Sequence, residues 1–149
     1  MAQHNDLGRW GEQLAAEYLK MQGWYIRHMD WHHKHRDLDI VAIDDESTLL
    51  LIVEVKTRST DEWGDPDEAI DLEKQNNIIR ATAAYQRAFR LEGMEVRYDT
   101  ISIVGTPDMP LSEVSIVHKQ AAFDVTSNFF YREQQRKRAF NRHRPGQWN

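Results

Sequence analysis

Three charged residues stand at the ends of two apolar segments, and their types and spacing suit metal-assisted chemistry. Glu54 and Lys56 follow directly on the apolar run Leu49–Val53. Residues two apart on a strand point to the same face, so these two side chains project together. Asp39 interrupts a second apolar segment, Leu38–Val41. In a hairpin of the two segments, Asp39 and Glu54 lie on neighbouring strands, close enough to share a cation.

Carboxylate oxygens of this kind suit a hard divalent cation, Mg²⁺ or Mn²⁺, which takes one or two carboxylates and keeps several waters. Phosphodiester hydrolysis needs a Lewis acid for the phosphoryl oxygen and an activated water in line with the leaving group. An ammonium beside the cation, here Lys56, stabilises the developing negative charge or orients the water. The backbone carbonyl of Val55 offers a further oxygen ligand.

A surface ion pair is the alternative for Glu54 and Lys56, because a Glu-x-Lys pattern is common on strands and contributes little to stability. Asp39 weighs against this alternative, since a carboxylate in an apolar strand is costly unless it is paired or bound to a cation. The residues by themselves leave the two interpretations close to even.

The composition is that of one globular domain, at 149 residues with 40% hydrophobic and 29% charged residues. Cysteine is absent, which excludes disulfides, thiolate zinc sites and a cysteine nucleophile, and suits a reducing compartment. No apolar run approaches the roughly 20 residues that span a bilayer, and no secretory signal is visible. We therefore expect a cytoplasmic protein with no membrane segment.

Charge is unevenly distributed along the chain, although the net value is −5. After His118, Lys and Arg outnumber Asp and Glu, whereas the preceding body is strongly acidic. Such a basic tail is compatible with a nucleic-acid-binding arm, and equally with a segment that folds back onto the acidic body. We expect a basic C-terminal extension over residues 124–149, helical at 128–141 and frayed at its end.

Hydrophobic periodicity and turn residues predict the elements that must position the charged residues. In chain order these are a helix from the N-cap Asp6 to Gly23, strands at 24–31, 38–43 and 48–56, a helix from Pro66 to about Leu91, and strands at 96–104 and 113–118. The order α-β-β-β-α-β-β predicts an α/β domain with a central mixed sheet flanked by helices.

Four sequence blocks resemble the YraN-like family of uncharacterised endonuclease-related proteins, within the PD-(D/E)XK nuclease superfamily. The blocks are Gly8–Glu12, Asp37–Ala42, Val53–Arg58 and Trp63–Ile70. The resemblance covers about residues 6–123 and implies a restriction-endonuclease-like core, similar to that of Holliday junction resolvases.

Residue by residue, the resemblance implies that Asp39 and Glu54 are metal ligands and that Lys56 is the catalytic lysine. Glu12, on the first helix, matches a carboxylate that leans over the site, often through a water on the metal. The chain departs from the family at Arg36 and Asp37, where Gly-Glu is usual. Asp37 keeps a carboxylate as an auxiliary ligand, and Arg36 alters the entry to the hairpin.

Several basic residues are candidates for contacts to a phosphate backbone, with solvated surface charge as the alternative for each. They are Arg58, Lys34, Arg36 and Lys74. A zinc site through His33 and His35 is conceivable, but further ligands at metal-site spacing are lacking. Solvated or phosphate-facing histidines are favoured over zinc.

The leading hypothesis is a metal-dependent nuclease that hydrolyses DNA phosphodiesters with Mg²⁺ or Mn²⁺. The alternative is a non-catalytic DNA- or protein-binding module that retains the nuclease fold, and a third is a structural domain with a vestigial site. A homodimer is compatible with the first hypothesis, because symmetric cleavage of two strands needs two sites.

Overall fold

The computed structural model describes residues 2–60 and 69–142 of the chain. The elements are α1 (Ala2–Met21), β1 (Tyr25–His33), β2 (Arg36–Ile43), β3 (Leu49–Arg58), α2 (Leu72–Phe89), β4 (Glu95–Val104), β5 (Ser115–Phe123) and α3 (Val125–Arg142). A single 3₁₀ turn, Leu111–Glu113, precedes β5. The predicted α/β class and the order α-β-β-β-α-β-β are confirmed, and a third helix follows.

The five strands lie side by side in chain order, from β1 at one edge to β5 at the other. Neighbouring strands are antiparallel except β3 and β4, which are parallel. A parallel pair needs a crossover connection, and α2 is that crossover. The sheet is therefore mixed, as expected for a nuclease-like core.

Helices cover both faces of the sheet, with α1 on one face and α2 on the other. Along β3, Leu50 and Ile52 pack beneath α2, whereas Leu51 and Val53 pack beneath α1. All four side chains are at most 2% exposed, so β3 is buried on both faces as its apolar run indicated. Glu54 continues this alternation and therefore faces α2.

Close packing of α1 on β3 depends on Gly11. A Cβ atom at this position would overlap the side chain of Thr57, near the end of β3. The glycine thus lets α1 lie directly against the strand, and it places the next residue, Glu12, beside the end of β3.

Two predicted helix starts are wrong. Helix α1 begins at Ala2, so Asp6 lies inside the helix; no glycine or proline precedes Asp6 to stop the helix from extending. Helix α2 begins at Leu72, not at Pro66, because Asp71 provides the stronger signal as the N-cap. Its carboxylate accepts a hydrogen bond from the backbone N–H of Lys74 at 2.8 Å.

The last strand is longer than predicted, since β5 runs from Ser115 to Phe123. It pairs with β4 as far as Tyr98 opposite Phe123, past a bulge between Tyr98 and Thr100. The sequence pattern missed the second half of β5 because its residues are mostly polar. An edge strand has less apolar surface to cover.

Some predictions fall outside the described residues. The Pro66 position and most of the Trp63–Ile70 block belong to residues 61–68, and the expected frayed end belongs to residues 143–149. The division between a core at 6–123 and an extension at 124–149 stays a prediction. Among the described helices, none is long and apolar enough to cross a membrane.

Candidate functional site

The sheet forks where the candidate ligands stand. Strands β2 and β3 pair only over Ile40–Ile43 and Leu50–Val53. Beyond the last pair, Ile40 opposite Val53, β2 continues alongside β1 and β3 continues alongside β4. Asp39 and Glu54 are the first residues past this point, one on each arm of the fork. The antiparallel register therefore sets the two residues across from each other.

Asp39 bridges the fork with its side chain. The backbone N–H of Val55 donates a hydrogen bond to Asp39 Oδ2 at 2.8 Å, in place of the ladder bonds that end at Val53. The Asp39 and Glu54 side chains are close enough for each to shift the pKa of the other. Because ionised carboxylates only accept hydrogen bonds, a bond between the two would require a proton on one of them.

Burial gives the pair its unusual protonation. The Glu54 side chain is 14% exposed, and burial, followed by the negative charge of Asp39, raises the pKa of Glu54 to about 8. Burial also raises the pKa of Asp39, against the opposing hydrogen bond from Val55. At neutral pH the pair therefore favours holding one proton, which a bound cation would replace.

Lys74 reaches the pair from the first turn of α2. Its Nζ lies 3.3 Å from Glu54 Oε1, and its side chain is half exposed. Burial alone would lower the pKa of Lys74, but the charge and hydrogen bond of Glu54 raise it. The sequence placed Lys74 among phosphate-binding candidates, whereas the structure places it against a predicted metal ligand. This one ammonium balances the pair while the pair holds a proton, but it would not balance two ionised carboxylates.

Glu12 approaches from the opposite face, on α1. Burial, followed by the charges of Asp39 and Asp30, raises the pKa of Glu12 to about 7. Asp37 raises it further, while Arg9 lowers it. Glu12 is therefore poised to exchange a proton near neutral pH.

Asp37 stands apart from the Asp39–Glu54 pair. Its side chain is 53% exposed, and its Oδ1 lies 4.0 Å from His32 Nδ1. Within residues 2–60 and 69–142, no three His, Asp or Glu side chains are grouped to hold one ion together. The described residues thus form a two-carboxylate set, without Asp37 as a third ligand.

The predicted basic residues lie along the open end of the fork. Lys56 is half-buried two residues beyond Glu54, on the same side of β3, and Arg58 ends that strand. Lys34 occupies the two-residue turn between β1 and β2 with a left-handed φ of 58°, and Arg36 begins β2. Basic residues therefore lie on both arms of the fork, farther along than the two carboxylates.

The histidines near this turn have other contacts. The ring of His33 stacks on Trp31, with centroids 5.9 Å apart. His32 Nε2 lies 3.2 Å from Asp30 Oδ1. His35 is exposed in the turn, and the described residues give it no ligand partners for zinc.

A second buried carboxylate, Asp99 on β4, was not singled out from the sequence. Its side chain is fully buried, and it accepts hydrogen bonds from Arg97 Nε and Nη2 at 2.9 Å, from His118 Nε2 at 2.7 Å and from the Ala121 N–H at 2.9 Å. His118 Nδ1 in turn lies 3.1 Å from the Tyr18 hydroxyl. The available signal was the one that marked Asp39, an acidic residue within an apolar strand.

The donor set at the fork fits Mg²⁺ or Mn²⁺. Mg²⁺ is commonly held by one or two carboxylates, with waters and substrate phosphate oxygens completing its shell. Two carboxyl groups that share a proton at neutral pH offer that set, because a cation can replace the proton. The chain has no cysteine, and in the part that the structure describes no histidine is grouped with the pair to favour zinc.

Comparison with known proteins supports the expected family. Residues 11–103 match the sequence profile of the uncharacterised protein family UPF0102. A UPF0102 protein of Bacteroides thetaiotaomicron is 45% identical over 70% of this chain and 84% of its own length.

Two further relatives extend the match. A UPF0102 protein of Porphyromonas gingivalis is 36% identical over 93% of this chain and 98% of its own length. One of Myxococcus xanthus is 36% identical over 83% of this chain and 94% of its own length. The chain therefore belongs to the uncharacterised protein family UPF0102, the YraN-like family that its motifs indicated.

Proposed function

We propose that this chain is a metal-dependent nuclease that hydrolyses phosphodiester bonds of DNA. The observation that carries the proposal is the Asp39–Glu54 pair, whose two side chains stand across the fork, with Asp39 held by the Val55 N–H and Glu54 only 14% exposed. Two ionised carboxylates at this depth are costly without a compensating cation, and Lys74 alone would leave negative charge over if both were ionised. A bound divalent cation would remove that cost.

Asp39 and Glu54 would hold Mg²⁺ or Mn²⁺, with the Val55 carbonyl as a further oxygen. Asp37, exposed and apart from the pair, would not be a direct ligand. The metal, when bound, supplies a Lewis acid for a phosphoryl oxygen and lowers the pKa of a bound water. The hydrogen bond from the Val55 N–H fixes Asp39 relative to β3, the strand that also carries Glu54. The ligand spacing is therefore set before substrate arrives.

Lys56 projects from β3 on the same side as Glu54, as residues two apart on a strand do. Its ammonium would stabilise negative charge that develops on the phosphate or orient the attacking water. Glu12, with a pKa of about 7, would accept a proton at neutral pH, as a general base requires. Lys74 would leave Glu54 once the cation arrives and become available to a substrate phosphate.

The basic residues at the open end of the fork would bind the substrate backbone. Arg58, Lys34 and Arg36 lie beyond the carboxylates on both arms, where a phosphate chain entering the fork would pass. DNA is the proposed nucleic acid, and a cytoplasmic homodimer is part of the same proposal, because cutting both strands symmetrically takes two sites.

A non-catalytic binding module is the second candidate. The observation that favours it is the absence of a third grouped ligand within the described residues, together with the Lys74 ion pair on Glu54. In this version the lysine and the shared proton stabilise the pair permanently, and the fork binds DNA without cutting it.

A cleavage assay separates the two candidates. The purified chain is incubated with supercoiled plasmid, linear duplex and four-way junction DNA in millimolar Mg²⁺ or Mn²⁺. We expect cleavage that Asp39→Asn and Glu54→Gln abolish, and that Lys56→Met slows by roughly 100-fold or more. Asp45→Asn, in the exposed β2–β3 turn, is the matched control and should cleave normally.

Two results would overturn the nuclease proposal. Cleavage that survives in both Asp39→Asn and Glu54→Gln would come from another protein in the preparation. No cleavage of any substrate, with DNA binding that is the same in the parent and in both variants, would establish the binding module instead.

A further inference from the structure

A polar cleft lies between α2 and α3, on the outer side of α2. It is lined by Asn76 and Arg80 from α2 and by Gln135 and Arg136 from α3, and encloses about 150 Å³. Neither Asp nor Glu is among these four lining residues. The cleft is distinct from the Asp39–Glu54 pair, because the pair lies on the sheet side of α2 and the cleft lies on its outer side.

The lining groups suit an anion with several oxygens. Two guanidinium groups offer planar forks of N–H donors, which match phosphate better than a point charge does. Asn76 Oδ1 is buried and has no hydrogen-bond partner among the described residues. A half-turn of that amide would present its NH₂ group to an anion. Glu133 is the neighbouring acid, and its Oε1 lies 3.4 Å from Arg136 Nη1.

We propose that this cleft binds a backbone phosphate of the nucleic acid, held between Arg80 and Arg136. The proposal rests on the proposed function for the identity of its ligand. It assigns a role to the basic extension, which would supply one side of a phosphate site while α2 supplies the other.

The cleft shares α2 with the carboxylate pair, which favours a nucleic acid as its ligand. Lys74, at the pair, and Arg80, in the cleft, are six residues apart, about 9 Å along the helix axis and about 120° apart around it. The two sites therefore lie on different faces of α2. A strand bound at the fork would have to pass around α2 to place another phosphate in the cleft, as a long polyanion can.

The charge of α3 agrees with this path. The helix carries five basic residues, Arg132, Arg136, Lys137, Arg138 and Arg142, against the single acid Glu133. Repeated positive charge along one helix matches the repeated negative charge of a phosphate backbone. The phosphate in the cleft would fix the register of the strand, and so the distance between the anchored phosphate and the bond at the fork.

Fluorescence anisotropy with the full chain tests the proposal. The probe is a labelled duplex in EDTA, which prevents cleavage, over a series of salt concentrations. We expect Arg80→Gln and Arg136→Gln each to weaken binding roughly tenfold and to lower the salt slope by about 1. Glu133→Gln, which releases Arg136, should tighten binding by about twofold.

Arg138→Gln is the matched control, because it removes the same charge from an exposed position of α3 outside the cleft lining. It should weaken binding by less than twofold. Losses in Arg80→Gln and Arg136→Gln no greater than in this control would overturn the proposal, as would a parent chain that does not bind the duplex at low salt. Unlabelled polyglutamate that competes as well as DNA would assign the cleft to an acidic protein instead.

The two proposals fail separately. If the nuclease proposal is wrong, Arg80-dependent binding persists in EDTA although no substrate is cut. If the cleft proposal is wrong, Arg80→Gln cuts DNA as the parent does, and only Asp39→Asn and Glu54→Gln lose activity. Circular dichroism melts of each variant check that the fold is intact.

Discussion

Two neighbouring strands bury carboxylates in opposite ways. Asp99 on β4 lies beside Val53 of β3, one residue from Glu54, yet it faces α1 while Glu54 faces α2. Four donors from Arg97, His118 and Ala121 surround Asp99. The Asp39–Glu54 pair has one backbone N–H and one half-exposed lysine.

The difference separates a structural carboxylate from a candidate site. Buried charge is tolerated when its hydrogen bonds and counter-charges are complete, and it is costly otherwise. Asp99 is complete, and through His118 it connects β5 to Tyr18 of α1. The pair at the fork is incomplete, so its raised pKa values mark a place where a cation would stabilise the fold.

The largest effect is expected from removing Asp99 and with it the hydrogen bonds that it accepts. Asp99→Ala should lower the free energy of unfolding by about 3–5 kcal/mol, because Arg97 and His118 would be left buried without their partner. Urea denaturation measures the loss. Asp37→Ala, at an exposed position of β2, should change stability by less than about 0.5 kcal/mol. Equal effects of the two substitutions would contradict the structural role of Asp99.

The incomplete pair should make stability depend on pH in the opposite sense to an ordinary ion pair. The pKa of Glu54 rises from 4.5 to about 8 on folding, so the folded chain binds more protons than the unfolded chain between these values. The free energy of unfolding should therefore fall as pH rises through this window, on the order of 4 kcal/mol in all. Glu12, with a pKa raised to about 7, adds to the same trend.

Urea denaturation at several pH values checks this slope. Glu54→Gln should flatten most of it, whereas Asp45→Asn should leave it unchanged. A parent chain whose stability stays level or increases between about pH 5 and pH 8 would show that the pair is already compensated.

A divalent cation should complete the pair. At a concentration ten times its Kd, Mg²⁺ or Mn²⁺ would stabilise the parent by about 1.4 kcal/mol and raise Tm by several degrees. The Asp39→Ala/Glu54→Ala double variant should melt higher than the parent without metal at neutral pH, and should not respond to metal. A similar rise in both proteins would indicate metal bound elsewhere.

The smallest effect is expected from Lys74, the half-exposed ion-pair partner of Glu54. Lys74→Gln removes a charge that lowers the pKa of Glu54, so that pKa should rise further. The loss in stability should stay below about 1 kcal/mol, since the lysine is half exposed. The pH midpoint of the stability curve should move upward. Arg87→Gln, at the far end of α2, should leave that midpoint in place.

The element order and the carboxylate pair could be predicted because both leave local signals. Apolar runs gave the strands, and Asp39 stood out as an acid inside one of them. The limits of β5 and the start of α2 could not be predicted, since a polar edge strand and competing helix-start residues, Pro66 and Asp71, blur the pattern.

The contacts between residues far apart in the chain could not be predicted from the sequence. Asp99 gives the same local signal as Asp39, but its partner His118 is 19 residues away and meets it only through the pairing of β4 with β5. Lys74 meets Glu54 only because the crossover helix returns over the sheet. Which buried acid is compensated is therefore a property of the fold.

The bond from Val55 across the fork has a spectroscopic consequence. Its amide proton is held by Asp39 Oδ2 and not by a neighbouring strand, so its NMR chemical shift should follow the charge on that carboxylate. Protonation, cation binding and the Asp39→Asn substitution would each move this one backbone resonance. The fold thus carries its own reporter, which can be observed without a substrate.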